Sequence, residues 1–209
     1  MKDPLGRLFP NMPHGWRVAL DWIFTIVGAI AVVLVIKAYV VNPYRIPSSS
    51  MEPTLHCARP GPGCQARFSD RVLANRFVYR FRGPHRGEVV VFNTPMLAKD
   101  RCGAGGTFVK RVIGLPGDVW SEVNGYIYIN GKPLKEPYIK FDRRSFGETK
   151  KMADIPPGGL TRIPKGYYLM MGDNRAQSCD SRVWGLVPRK NLIGEVFFTY
   201  WPPNRLSFR

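Results

Sequence analysis

Residues 22–41, WIFTIVGAIAVVLVIKAYVV, run for 20 positions with Lys37 as the only charge, and no other feature limits the architecture as tightly. As a helix at ~1.5 Å per residue the run spans ~30 Å, the thickness of a bilayer's hydrocarbon core. Lys37 lies near one end, where its stem can carry the ammonium back to the head groups. A cleaved leader has a shorter apolar region, about 7–15 residues, followed by a small-residue cleavage site. Here the run passes instead into VNPYRIP. A buried core helix would carry more polar positions. One membrane anchor is therefore expected over 18–43, after a short cytoplasmic segment 1–17 and ahead of a domain at 44–209. Lys2, Arg7 and Arg17 precede the run and favour an inside N terminus with the domain outside the cytoplasm, although Asp3 and Asp21 offset part of that charge.

Beyond the anchor, Pro43 and Pro47 stop any helix, so the chain enters its domain extended. Short runs of strand character follow at 71–78, 88–93, 107–113, 120–122, 126–129, 167–171 and 194–200. The fifth ends in Asn130-Gly131, a two-residue hairpin signal. With 21 glycines and 19 prolines, and no long 3.6-residue apolar period past the anchor, the expected fold is mainly β. Coiled antiparallel sheets should form a partly closed barrel behind one transmembrane helix. Residues 140–160 are charged and rich in glycine and proline, and they read as an exposed excursion.

Most of the net charge of +16 lies beyond Pro43. Such an excess speaks to partners rather than fold. Nucleic acid and anionic lipid head groups are both candidates, lipid being favoured for a domain tethered beside a bilayer, and a plain solvated surface is the third reading. Cys57 and Cys64 bracket the turn-forming ARPGPG, so in an oxidising compartment these two are the expected disulfide. Four cysteines allow three full pairings, and the partners of Cys102 and Cys179 stay open. The histidines at 14, 56 and 85 are too scattered for a zinc site, and no metal or organic cofactor is expected.

Ser48, Ser49 and Ser50 form a cluster just past the anchor, which on its own reads most simply as a turn or a cap. No G-x-S-x-G elbow surrounds them and no histidine stands out as a triad partner, so a nucleophile here needs another base. In TFVKRVI the strand period puts Phe108, Lys110 and Val112 on one face. A lysine among apolar neighbours loses water, its pKa falls, and it can serve as a base near neutral pH. An edge lysine that snorkels into solvent is the other reading.

Four segments in order resemble the motif boxes of type I signal peptidases: IPSSSMEPTL at 46–55, RGEVVVF at 86–92, FVKRVIGLPGD at 108–118 and MGDNRAQSCDSRVWG at 171–185. The resemblance implies a Ser-Lys serine protease with Ser50 as nucleophile and Lys110 as general base. It implies an oxyanion hole from the Ser48 hydroxyl and the Ser50 backbone N–H, and Ser178 as the residue that orients the lysine. Asp173, Asp180, Arg182 and Arg111 match positions that brace the site, with Asn174 and Arg175 in the same box. Three departures stand out: Ser49 where the family usually has glycine, Ala176 and Gln177 in place of the common acidic and amide residues, and Cys179 beside Ser178. Residues 119–165 correspond by resemblance to a small accessory hairpin insertion.

The nine residues from Val41 to Ser50 reach no more than ~30 Å even when extended, so the site works close to the membrane surface. Signal peptides offer their cleavage sites there, after small residues in an A-x-A-like pattern. Ile46, Met51 and Leu55 around Ser50 are candidate pocket walls, membrane contacts or simple packing. The leading expectation is removal of signal peptides from exported preproteins, through an acyl-enzyme, at a bacterial inner membrane crossed once. A Ser-Lys peptidase maturing pilin or conjugation proteins is a related alternative, and a membrane-tethered basic adaptor for nucleic acid or anionic lipid is one from another class.

Overall fold

The computed structural model describes residues 13–209, and the chain divides into two compact units, Met1–Val41 and Asn42–Arg209. Most of the segment expected to be cytoplasmic, 1–17, thus lies outside the described residues. Among the described residues of the first unit one helix, α1, runs His14–Tyr39, starting four residues ahead of the expected boundary at 18. Its stretch Gly15–Val35 is long and apolar enough to cross a membrane. Trp22, Phe24, Ile30 and Leu34 stand exposed along it, as lipid-facing side chains would and core side chains would not. The chain is already extended at Val41, where β1 (Val41–Arg45) begins, and Pro43 and Pro47 give the reason.

The second unit is built on a coiled sheet. After β1 come β2 (Arg71–Asn75), the one-turn α2 (Val78–Phe81), β3 (Val89–Asn93), α3 (Met96–Cys102) and β4 (Thr107–Gly114). Later in the chain lie β9 (Tyr167–Met171), α4 (Ser181–Trp184), β10 (Val187–Pro188), β11 (Leu192–Trp201) and β12 (Ser207–Phe208). The sheet order is β1-β2-β11-β3-β4-β9-β10, with β12 on β11, and the pairings from β2 to β10 are antiparallel. Bulges interrupt β11 against both β2 and β3, and β4 against β9. Each adds bend and twist, which curls the sheet into a half-barrel. Gly194 sits at one bulge because a Cβ there would come within 2.5 Å of the Asn75 carbonyl oxygen.

A second, four-stranded sheet fills the insertion: β5 (Trp120–Val123), β6 (Tyr126–Ile129), β7 (Lys132–Pro133) and β8 (Thr149–Lys151), in the order β7-β6-β5-β8. Asn124-Gly125 and Asn130-Gly131 take positive φ at both tight turns, as two-residue hairpin loops require. The stretch 140–160 departs from its expected exposure. It supplies β8, and Met152 and Ile155 pack with Trp120 and Ile127 in a core shared with Ile113 and Leu169. Its polar composition hid two apolar anchors at a spacing too short to register as a period.

Strand β3 shows why the rest of the core sits where it does. Its run of valines is buried on both faces: Val89 and Val91 join Ile46, Met51, Leu55 and Val196, while Val90 and Phe92 join Val112, Met170 and Trp184. A continuous apolar run is what a strand covered on both sides demands. Ile46, Met51 and Leu55 are core residues, which excludes them as membrane contacts.

Candidate active site

Ser50 lies in a single 3₁₀ turn, Ser49–Met51, an irregular piece of chain that needs external fastening. Apolar plugs provide part of it: burying Ile46, Met51 and Leu55 contributes about 1.5–3 kcal/mol each. Polar stitches provide the rest. The Asn174 backbone N–H donates to the Ser50 carbonyl at 3.0 Å and its side-chain amide to the Ser49 carbonyl at 3.1 Å. Glu52, fully buried, accepts from the backbone N–H groups of Cys57 and Gln65 at 3.2 and 3.3 Å and meets His56 Nδ1. Cys57 and Cys64 are joined, closing the loop that follows. Ser48 Oγ stands 3.2 Å from Ser50 Oγ.

Lys110 belongs to the regular part of the sheet. In β4 it pairs opposite Val90, and the strand period keeps it on the face of Phe108 and Val112. Its side chain is 2% exposed, and Nζ lies 5.8 Å from the centre of the Phe108 ring. Desolvation is the main reason its pKa falls to about 8. Arg182 adds to the depression, while Asp180 and Asp173 oppose it.

Two buried ion pairs frame this position. Arg111, next to the lysine but on the opposite face, donates from Nε and Nη2 to the two oxygens of Asp173 at 2.8 and 2.5 Å, and from Nη1 to the Gly87 carbonyl at 2.7 Å. Arg182 makes the same fork to Asp180, 2.9 Å on each arm, and reaches Ser145 Oγ at 2.7 Å. Asp180 also accepts from the Gly172 N–H at 3.1 Å. Burial pushes the Asp180 carboxyl up, but Arg182 outweighs it and holds the pKa below the usual range. Forked contacts of this kind fix orientation as well as charge. Arg175 is buried against Glu136, and Arg182 against Glu122, so the insertion supplies a carboxylate to each.

Ser178 Oγ is buried with no hydrogen-bond partner among the described residues. A side chain on Gly172 would collide with both Ser178 Oγ and the Ser50 carbonyl, so glycine is what lets these two serines approach the same point. Cys179, beside Ser178, is joined to Cys102 at the end of α3.

Ser48, Ser50 and Lys110 line one cleft of about 300 Å³. Residues 44–47 form one wall, Ala104, Gly105 and residues 107–110 the other, and Ile46, Met51 and Phe108 make it largely apolar. On the side away from β3, strand β9 pairs with β4 only from Arg111 to Gly114, so among the described residues no strand covers 107–110 there.

Residues 19–201 match the family model described as signal peptidase, peptidase S26. The chain belongs to that family. Similar proteins include a probable signal peptidase I-2 of Synechocystis sp., 39% identical over 186 residues that cover 88% of this chain and 73% of the relative. A signal peptidase I of Leptolyngbya laminosa is 36% identical over 99% of this chain and 91% of its own. Signal peptidase IB of Staphylococcus aureus is 35% identical, over 90% and 93% respectively. The chain is a serine endopeptidase of the signal peptidase I family, with the apolar helix that membrane association calls for.

The structure brings most of the site residues singled out in the sequence to this peptidase's cleft or its frame, but gives Ser178 Oγ no hydrogen bond to Lys110. Ser48, Ser50 and Lys110 line the cleft; Asp173, Asp180, Arg111 and Arg182 make the frame, and Ser178 lies beside the serine turn. Sequence reasoning missed Glu52, Glu122 and Glu136, all buried carboxylates. Glu52 left one trace, an acid wedged in the apolar SMEPTL; the other two sit in polar stretches and left none.

Proposed function

We propose that the chain cleaves N-terminal signal peptides from exported preproteins after small residues, with Ser50 as nucleophile and Lys110 as neutral general base. The observation that carries this reading is the shared cleft: a reachable serine hydroxyl and a dry lysine, its pKa about 8, line the same apolar groove. Neutral Lys110 takes the Ser50 proton as Oγ attacks the scissile carbonyl, then returns it to the leaving amine. Water, activated by the same amine, releases the acyl group. The Ser48 hydroxyl and the Ser50 N–H donate to the oxyanion, and the otherwise unpartnered Ser178 hydroxyl orients the lysine.

The substrate class follows from the cleft's walls. The uncovered edge at 107–110 can pair with an extended peptide, whose alternate side chains then point the same way into the apolar groove. Small side chains at alternate positions are the A-x-A pattern. For work at a membrane surface the domain offers Phe68 and Trp201, partly exposed, with Arg67 and Arg71 over their rings, side chains suited to anionic head groups. The orientation that fits is a single-pass anchor with the peptidase domain outside the cytoplasm.

The test is cleavage of a preprotein with an A-x-A site by the full chain in detergent, beside Ser50→Ala. Cleavage at that site by the wild type and none by the variant is expected. An active Ser50→Ala variant, or a wild type that leaves such precursors intact, overturns the reading.

A further inference from the structure

A second cavity, about 170 Å³, adjoins the cleft at Ser48, Ser50, Ala104, Phe108 and Lys110. Its remaining walls are Ser49, Gln177, Cys102 and Cys179. Ser49, Gln177 and Cys179 are three of the positions at which the motif boxes depart from the family pattern, and all three meet here. The departures are held in place rather than left loose. Asn174 Nδ2 donates to Gln177 Oε1 at 3.1 Å as well as to the Ser49 carbonyl, and the Cys102–Cys179 disulfide ties the far wall.

That tie matters because of the segment that lines both cavities at Ala104. Between Cys102 and Thr107 the chain reads Gly-Ala-Gly-Gly, a stretch with almost no side chains and two positive φ angles, Gly103 and Gly106. Such a segment has high intrinsic freedom. At one end Gly106 exchanges hydrogen bonds with Thr94 at 2.8 and 3.1 Å; at the other the Gly103 N–H caps α3 on the Lys99 carbonyl at 3.1 Å and the disulfide ties Cys102.

We propose that this cavity is the subsite for the first residue after the scissile bond, and that the Cys102–Cys179 disulfide sets its size. The inference rests on the proposed peptidase function. Ser50 must attack where the two cavities meet, because it lines both. The larger, apolar cleft with the uncovered strand edge takes the extended segment before the bond. The smaller cavity, with a hydroxyl and a primary amide on its rim, then takes the residue that begins the mature chain. A small volume and a polar rim favour small or polar side chains there and disfavour bulky aromatic ones.

The experiment compares preproteins identical up to the scissile bond and carrying Ala, Ser, Gln, Phe or Trp directly after it, cleaved by the full chain in detergent. A second series varies only the residue before the bond. Wild type should favour Ala, Ser and Gln over Phe and Trp by about tenfold in kcat/KM, the scale of shape discrimination by one pocket. Cys102→Ala/Cys179→Ala should cut that ratio severalfold and leave selection before the bond unchanged. Gln177→Ala, which keeps both disulfides, should shift it the same way, so a poorly folding cysteine variant does not blunt the test. Unchanged selection after the bond in both variants, or a shift confined to the residue before it, overturns the subsite. A wild type that cuts none of the precursors instead overturns the proposed function.

Discussion

The segment that carries Ser50 and the strand that carries Lys110 meet at one cleft, yet they are built by opposite means. Around Ser50 the chain is irregular, and it is held by apolar plugs, the buried Glu52, a disulfide loop and two hydrogen bonds from Asn174. Around Lys110 it is a regular strand, held by its ladder to β3 and buried on both faces. The difference follows from the work proposed for each. A nucleophile has to be reached by a peptide, so its backbone turns outward and pays for that in bespoke fastenings. A lysine base has to be dry, and a strand buried on both faces and flanked by the Arg111–Asp173 and Arg182–Asp180 pairs supplies that dryness. Disturbing the two sides should therefore produce different failures.

The largest effect is expected on the strand side. Lys110→Ala should lower kcat by ~10⁴ or more, the loss usual for a member of a nucleophile-base pair, with the fold retained. Lys110→Arg should fail equally, because a guanidinium stays charged however dry it is. Normal preprotein cleavage by either variant would break the contrast between an exposed nucleophile and a desolvated base. Next comes the serine side: Ser48→Ala removes one of the two proposed oxyanion donors, and a loss of ~10²–10³ in kcat with little change in KM is expected. A change confined to KM would make Ser48 a binding residue instead.

The two sides also differed in how much the sequence disclosed. Strand β4 announced itself through alternation, and Lys110 within it was legible as a basic residue among apolar ones. The serine turn had no period to read, and three adjacent serines fit a cap as well as a nucleophile; only the four ordered boxes singled out Ser50. The frame was half visible. Arg111, Arg182, Asp173 and Asp180 came with the boxes, whereas Glu122 and Glu136 lie in the insertion, where a carboxylate that neutralises a buried arginine looks like any surface acid. The path of 140–160 into the core was illegible because only two of its apolar side chains carry the packing.

A smaller, graded effect is expected from pH. With the Lys110 pKa near 8, roughly a tenth of Lys110 is neutral at pH 7, so with Lys110 as the proposed base kcat/KM should rise about tenfold from pH 6 to 7 and level off above about 9. A flat profile from pH 6 to 9 would remove Lys110 as the titrating base. The same depression affects stability. Between about 8 and the ordinary 10.5 the unfolded chain still holds the proton that folded Lys110 has lost, so this group's contribution makes stability rise with pH across that window.

The smallest effect should come from Gly63, which sharpens the comparison because it lies in the disulfide loop and touches the serine side only. Its φ is +72°, and an added Cβ would come within 2.7 Å of Ser49 Oγ and collide with Gln177 Oε1. Gly131, in the β6–β7 turn, has a similar φ of +77° and open space around it. Alanine at either position costs about 1–2 kcal/mol for the left-handed backbone. Only Gly63→Ala also pushes on Ser49, and through it on the turn that aims Ser50. Thermal unfolding should therefore shift in both variants, more in Gly63→Ala, while kcat falls severalfold in Gly63→Ala and stays at the wild-type value in Gly131→Ala. Equal activity in both would mean that the disulfide loop stabilises the domain without positioning its nucleophile, and the serine side would then rest on its apolar plugs, Glu52 and Asn174.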